Sequence, residues 1–175
     1  VRRALICTLA VAPALTPVAV ARATVTPAPT PSQIARAVHN ATHSRLLWAT
    51  VNVCVRRRRG GVMGVRGELP ALGFDSTLSM TVQLRQYETS ASRFVWVRGA
   101  TAQRTVTLGT VRTGVHQDGV EFPYASDTGE LDAIVTFTWT RAGRRLAEVT
   151  LVTTGGHPTA AFSQPNGHTA AGCRL

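Results

Sequence analysis

The sequence predicts an all-β, immunoglobulin-like antiparallel sandwich of two sheets, with about eight to nine strands and one disulfide. Three observations predict it. From Leu46 onward apolar residues recur with a period of two, in short runs separated by turn residues. No internal repeat or long helical pattern competes with that alternation. Hydrophobic residues make up 44% of the chain and charged ones 16%, a balance that suits one packed domain rather than a disordered chain.

The elements follow in order. Arg2 and Arg3 precede an apolar run from Ala4 to Ala21, and Ala21-Arg22-Ala23 has the small-x-small pattern of a signal-peptidase site, so residues 1–23 read as a signal peptide. Pro13 and Pro17 interrupt the run and argue against a membrane anchor. Residues 24–45 read as a Pro-rich linker, with a short helix from Ser32 to His43 that Ser32 would cap and Ile34, Ala35, Val38 and Ala41 would face inward. The sandwich domain is expected over residues 46–175.

Leu46 to Val55 is the first strand, with Leu47, Ala49, Val51, Val53 and Val55 on one face and Trp48, Thr50, Asn52 and Cys54 on the other. Val62 to Leu69 is the second, and Gly64 and Gly67 within it signal a bulge or a close backbone approach. Ser79 to Tyr87 and Arg93 to Val97 read as a hairpin, and Gln103 to Val111 and Gly119 to Tyr124 as two further strands. The clearest pattern is Leu131, Ala133, Val135, Phe137 and Trp139, which Ala142-Gly143 returns into Leu146 to Thr153. A last strand near Thr169 to Arg174 would carry a cysteine back to the first strand. A true immunoglobulin domain has a tyrosine two residues before its second cysteine; Ala171 stands there, so the likeness is one of architecture.

Loss of residues 1–23 would leave two cysteines, Cys54 and Cys173, in an exported chain, where such a pair persists as a disulfide. Two buried free thiols are the alternative. A metal site is disfavoured because neither cysteine has a nearby Cys or His companion.

The net charge is +10, and with no lysine in the chain it rests on arginine alone. The absence of lysine excludes a P-loop phosphate lysine, a Schiff-base lysine and a lysine general base. Arginine in place of every lysine, beside abundant alanine, reads as the codon bias of a GC-rich genome, which discounts the charge as evidence for a partner.

Leu47-Trp48-Ala49-Thr50-Val51-Asn52-Val53-Cys54, Gly64-Val65-Arg66-Gly67, Phe137-Thr138-Trp139-Thr140-Arg141-Ala142-Gly143, Gly156-His157 and a cysteine near the end form an ordered series. In these motifs the chain resembles a family of uncharacterised secreted single-domain β-sandwich proteins from high-GC Gram-positive bacteria, over roughly Leu46 to Leu175. The resemblance implies export, a β-sandwich and one disulfide, and brings no activity, ligand or catalytic residue. Arg56 to Arg59 stands where that family's pattern implies an acidic, Pro-containing loop.

Arg56, Arg57, Arg58 and Arg59 are the candidate anion-binding residues, four guanidiniums at a strand–strand tip that suit an anionic envelope polymer or lipid headgroups. Nucleic acid is disfavoured, because no stacking aromatics or reading helix adjoin the run. His39 and His43 would share a helix face, but without the glutamate that follows the first histidine of a zinc protease. Glu130 and Asp132 flank Leu131, which sets the two carboxylates on one strand face about 7 Å apart, a spacing compatible with an inverting glycosidase. The alternation turns them toward water, where a general acid is poorly placed. His116, Asp118 and Glu121 cluster across a turn, and His157 and His168 lie in the terminal loops, none beside a recognisable nucleophile. Trp48, Trp96 and Trp139 are expected in the core, although on adjacent strands they would make a sugar platform. No catalytic residue, metal or cofactor is assigned. The expected function is that of a non-catalytic exported binding or structural module, of the cell envelope or the extracellular space. Anionic-polymer binding through the Arg loop and a hydrolase on Glu130 and Asp132 are the alternatives.

Overall fold

The computed structural model describes residues 27–58, 60–124 and 129–174. The expected signal peptide and Arg59 lie outside them. Among the described residues one α-helix, α1 (Pro31–Thr42), precedes nine strands: β1 (Trp48–Arg57), β2 (Gly60–Pro70), β3 (Ser76–Glu88), β4 (Arg93–Trp96), β5 (Gln103–Val111), β6 (Val115–Tyr124), β7 (Glu130–Arg141), β8 (Arg144–Val152) and β9 (Gly172–Arg174). They form two antiparallel sheets. β1-β2-β6 make the smaller one. In the larger, β3 and β7 are central, β4 and β5 follow one another along the free edge of β3, and β8 and β9 do the same along β7.

The alternation predicted for β7 is borne out. Leu131, Ala133, Val135, Phe137 and Trp139 are all fully buried, and they meet Leu78, Met80, Val82 and Leu84 of β3 and Met63, Val65 and Leu69 of β2. Trp139 also donates its indole N–H to the Pro70 carbonyl at 2.9 Å, which satisfies the one polar atom its ring takes into the core. The β7–β8 turn holds Ala142 and Gly143 at φ 47° and 76°, the left-handed pair that a two-residue hairpin requires.

The helix cap lies two residues earlier than the sequence suggests. Thr30, not Ser32, is the N-cap: its hydroxyl accepts from the Gln33 N–H while the Gln33 side chain accepts from the Thr30 N–H, a capping box that Ser32 cannot form because Pro31 already occupies the first helical position. The helix packs Ile34, Ala37, Val38 and buried Ala41 against the sandwich core.

The bulge that Gly64 and Gly67 suggested falls across the ladder, in β1. Val51 pairs Val65 and Val53 pairs Gly64, so Asn52 is the extra residue. This reverses the expected facing beyond that point. Val51 packs in the core, whereas Val53 turns outward against Gly64, and Cys54 turns inward opposite buried Met63. The glycines themselves mark close approach: a Cβ on Gly64 would stand 2.7 Å from Val53 Cβ, and one on Gly67 2.7 Å from the Phe137 ring. β6 is longer than predicted, because Asp118-Gly119 lies inside it; a Cβ on Gly119 would come within 2.9 Å of the Val65 carbonyl, so the glycine permits the pairing instead of ending it. β9 is shorter, three residues.

Cys54 and Cys173 are bonded, with Cα atoms 5.5 Å apart. The bond joins β1 of the small sheet to β9 of the large one. The chain between β8 and β9 then lies along the free edge of β1: Thr154 N–H donates to Ala49 O, Gln164 N–H donates to Asn52 O, Cys54 N–H donates to Gln164 O, and Val51 and Ala170 exchange two bonds. That edge is therefore paired rather than left open for another chain. The same segment covers part of the small sheet's outer face, which buries Trp48, Thr50, Asn52 and Glu68.

Candidate functional site

Arg56 and Arg57 end β1 and Arg58 begins the turn into β2, and all three are exposed. They stand at the tip of the β1–β2 hairpin, whose base is fixed by the disulfide two residues before Arg56. Tyr124, opposite Gly61 at the same end of the sheet, is half-buried, and burial pushes its hydroxyl up to about 12, so it stays a neutral phenol beside the cationic tip.

The acids on β7 are placed differently from the expectation that both face water. Asp132 is 5% exposed. Its two oxygens accept from Nε and Nη2 of Arg85 at 2.9 and 2.6 Å, a bidentate pair across the β3–β7 ladder. Glu130 is held by Arg174 at 3.1 Å. The two acids share a strand face, as their spacing implies, but β3 and β9 bring an arginine to each carboxylate. Two carboxylates each held by a separate guanidinium are arranged as ion pairs, not as an acid and a base converging on one bond.

Arg85 connects that pair to an aromatic group. Its guanidinium lies 5.5 Å from the Phe94 ring centroid and 6.0 Å from that of Trp96, and Phe94 meets Tyr87 edge-on at 5.4 Å. Of the three tryptophans expected in the core, Trp139 and Trp48 are buried, but Trp96 is 50% exposed. The reason is its strand: β4 is a four-residue edge element whose Trp96 sits opposite Arg85, on the outward face of the large sheet. Trp96 lines a depression of about 590 Å³ with Glu88, Arg93, Phe94, Val95 and Arg98.

A buried polar cluster on the small sheet had no sequence signal. Glu68 accepts from Trp48 Nε1 at 2.8 Å and from Gln117 Nε2 at 2.6 Å, and Gln117 also bonds the Thr159 carbonyl and the Ala161 N–H. His157 stacks on Trp48 with centroids 4.7 Å apart, and its Nε2 meets the Thr154 hydroxyl at 2.8 Å. Burial lowers the His157 pKa below 6.5, and the Glu68 charge opposes that shift. Trp48, Glu68 and Gln117 are one cross-strand row, visible only once the register of three strands is known. All their polar atoms named here point at one another or at the covering segment, so the cluster fastens that segment to the sheet.

The remaining sequence candidates are dispersed. His39 and His43 do share a helix face, with ring centroids 4.3 Å apart, but His43 Nδ1 is within 2.9 Å of the His39 carbonyl oxygen. Among the described residues no group of three or more His, Cys, Asp or Glu could hold a metal ion. His116, Asp118 and Glu121 are strung along β6, where His116 bonds the Thr113 carbonyl and Asp118 accepts from the Gly119 N–H. His168 sits in the covering segment. No described helix is long and apolar enough to cross a membrane.

No family model matches the chain, and no curated protein matches it. Among solved structures, a partial likeness is to the β-glucuronidase of Bacteroides uniformis, with 11% identity and a TM-score of 0.35 over 59% of this chain and 12% of that chain. A likeness so slight carries neither the fold nor the function.

Proposed function

We propose that the protein is a non-catalytic, exported binding module that holds an anionic polymer of the cell envelope through the guanidiniums of the β1–β2 hairpin. The observation that supports this reading is the exposure of Arg56, Arg57 and Arg58 together at the tip of a hairpin anchored by Cys54–Cys173. Side chains concentrated on a braced tip lose less freedom on binding than the same charges on a loose loop. Planar guanidiniums also suit the phosphate and carboxylate groups of such polymers.

The test is sedimentation of the purified protein with isolated cell envelopes at low and high salt, beside a variant with Arg56→Ala, Arg57→Ala, Arg58→Ala and Arg59→Ala. Binding that falls steeply with salt, and is lost in the variant, is the expected result. Equal sedimentation of both forms, or none by either, would overturn the reading. Export is checked on the same material by N-terminal sequencing, which should begin at Thr24.

A further inference from the structure

We propose that the depression beside β4 is a second binding site, for a uronic-acid polysaccharide, in which Trp96 stacks on a sugar ring and Arg93 and Arg98 take the sugar's carboxylates. The inference goes beyond the hairpin reading and shares no residue with it, so either can fail alone.

The platform is built from below. Asp132 fixes Arg85 by two hydrogen bonds, and the guanidinium so fixed lies against the Trp96 and Phe94 rings. A cation against an indole orients the ring by the attraction of its electron-rich face. Trp96 nonetheless remains half exposed, so the indole is open to a ligand ring. The buried Asp132, otherwise a costly placement for a carboxylate, acquires a role as the base of this pedestal.

The surroundings select the ligand. Arg93 and Arg98 are exposed and line the same depression, and neither forms an ion pair with a described carboxylate. Glu88 lines it too, with its Oε1 taken by the Ser90 hydroxyl at 3.0 Å. Two guanidiniums against one carboxylate leave the site cationic, which is complementary to an acidic chain and not to a basic one.

Along the same outward face, the rows after Arg85–Trp96 are Gln83–Gln103 and then Thr81–Thr105, whose hydroxyls meet at 2.8 Å. An aromatic plane continued by amides and hydroxyls, which both donate and accept, matches a sugar ring followed by further hydroxylated rings. An acyl chain would find no apolar continuation in those rows. The occupant is therefore a carbohydrate bearing carboxylates rather than a lipid.

The experiment measures binding by calorimetry and tryptophan fluorescence, using a galacturonic-acid hexamer, maltohexaose as the neutral sugar, and an acrylate oligomer of matched charge. The wild-type protein should bind the uronate hexamer saturably, with a change in emission, and more tightly than either control. Trp96→Ala, and separately Arg93→Ala with Arg98→Ala, should each weaken the uronate by about tenfold or more, while the hairpin variant leaves it unchanged. Trp96→Phe, which keeps a ring, should retain most of the affinity and guards against a β4 that fails to fold in the alanine variant. No uronate binding by the wild type, equal binding of the acrylate oligomer or of maltohexaose, or an affinity indifferent to Trp96→Ala in a folded variant would each overturn the proposal.

Discussion

Replacing Asp132 with alanine tests whether the Arg85–Asp132 pair is a structural pedestal or a surface ion pair. The Asp132 side chain is 8% exposed and that of Arg85 21%, so Asp132 is desolvated and Arg85 keeps one side toward water. Removing one partner of a fully buried pair costs about 3–5 kcal/mol, because the other charge is left unpaired. Arg85 can recover some hydration and retains the Phe94 and Trp96 faces, which places the expected loss at the lower end, about 3 kcal/mol. Arg85→Met with Asp132→Leu removes both charges and should return to within about 1 kcal/mol of the wild type. The two corresponding single variants complete a double-mutant cycle, and because each leaves a charge unpaired their summed losses should exceed that of the double variant by about 5 kcal/mol. Urea unfolding followed by far-ultraviolet circular dichroism gives all four values. Iodide quenching of Trp96 supplies a second readout, since Arg85→Met should loosen the indole while leaving the buried Trp48 and Trp139 shielded. A loss below about 0.5 kcal/mol in Asp132→Ala would mean an ordinary exposed pair, and the pedestal argument would fall with it.

Two further outcomes follow from the covering segment and its anchors. The Cys54–Cys173 bond closes a loop with a sequence separation of 119, for which the chain-entropy relation gives about 4.9 kcal/mol at 25 °C. Cys54→Ala with Cys173→Ala should therefore lower the unfolding free energy in guanidinium by about 3–5 kcal/mol, and a loss under about 1 kcal/mol would refute an origin in the entropy of the unfolded chain. Because burial depresses the His157 pKa below 6.5 in the folded state, the unfolded chain binds the proton more readily. The stability contribution is full above pH 6.5, declines as the pH falls from there through the folded value, and levels off beneath it. His157→Phe keeps the stack on Trp48 without the titration, so the difference between its unfolding midpoint and that of the wild type should change on going from pH 7.5 to pH 5; a constant difference would refute the assignment.

The sequence reveals what depends on local pattern and hides what depends on register. The period-two runs identify the strands of the large sheet, and Ala142-Gly143 identifies its tightest turn, because facing and turn geometry are properties of neighbouring residues. The disulfide was legible for a different reason: with a signal peptide expected over residues 1–23, composition leaves two cysteines to pair, whatever the register. The bulge at Asn52 was not, since a bulge inserts one residue into an alternation that otherwise looks unbroken. The arginine partners of Glu130 and Asp132 were hidden as well, because Arg85 and Arg174 lie 47 and 44 residues away. Trp96 was expected in the core because a sandwich ordinarily buries one tryptophan per sheet, and only its register opposite Arg85, on the outward face of a short edge strand, leaves the ring outside.

The bulge ties these features together. Were β1 to alternate without interruption, Cys54 would face away from the large sheet while Val51 faced it, and the bond to Cys173 could not form across the sandwich. One extra residue turns Cys54 inward. It also leaves Asn52 buried with its amide free to donate to the Ala161 and Phe162 carbonyls, at 3.0 and 3.2 Å, which is where the covering segment crosses the small sheet. The segment's course in turn satisfies the backbone groups of β1 that a sheet edge would expose. The small sheet is thus partly occupied, on its outer face, by the chain's own return path, whereas the Thr81–Thr105 and Gln83–Gln103 rows of the large sheet remain at the surface. Trp96 on that large sheet and Arg56 to Arg58 at the hairpin tip, the side chains on which the two proposed sites rest, stand exposed outside the segment's cover.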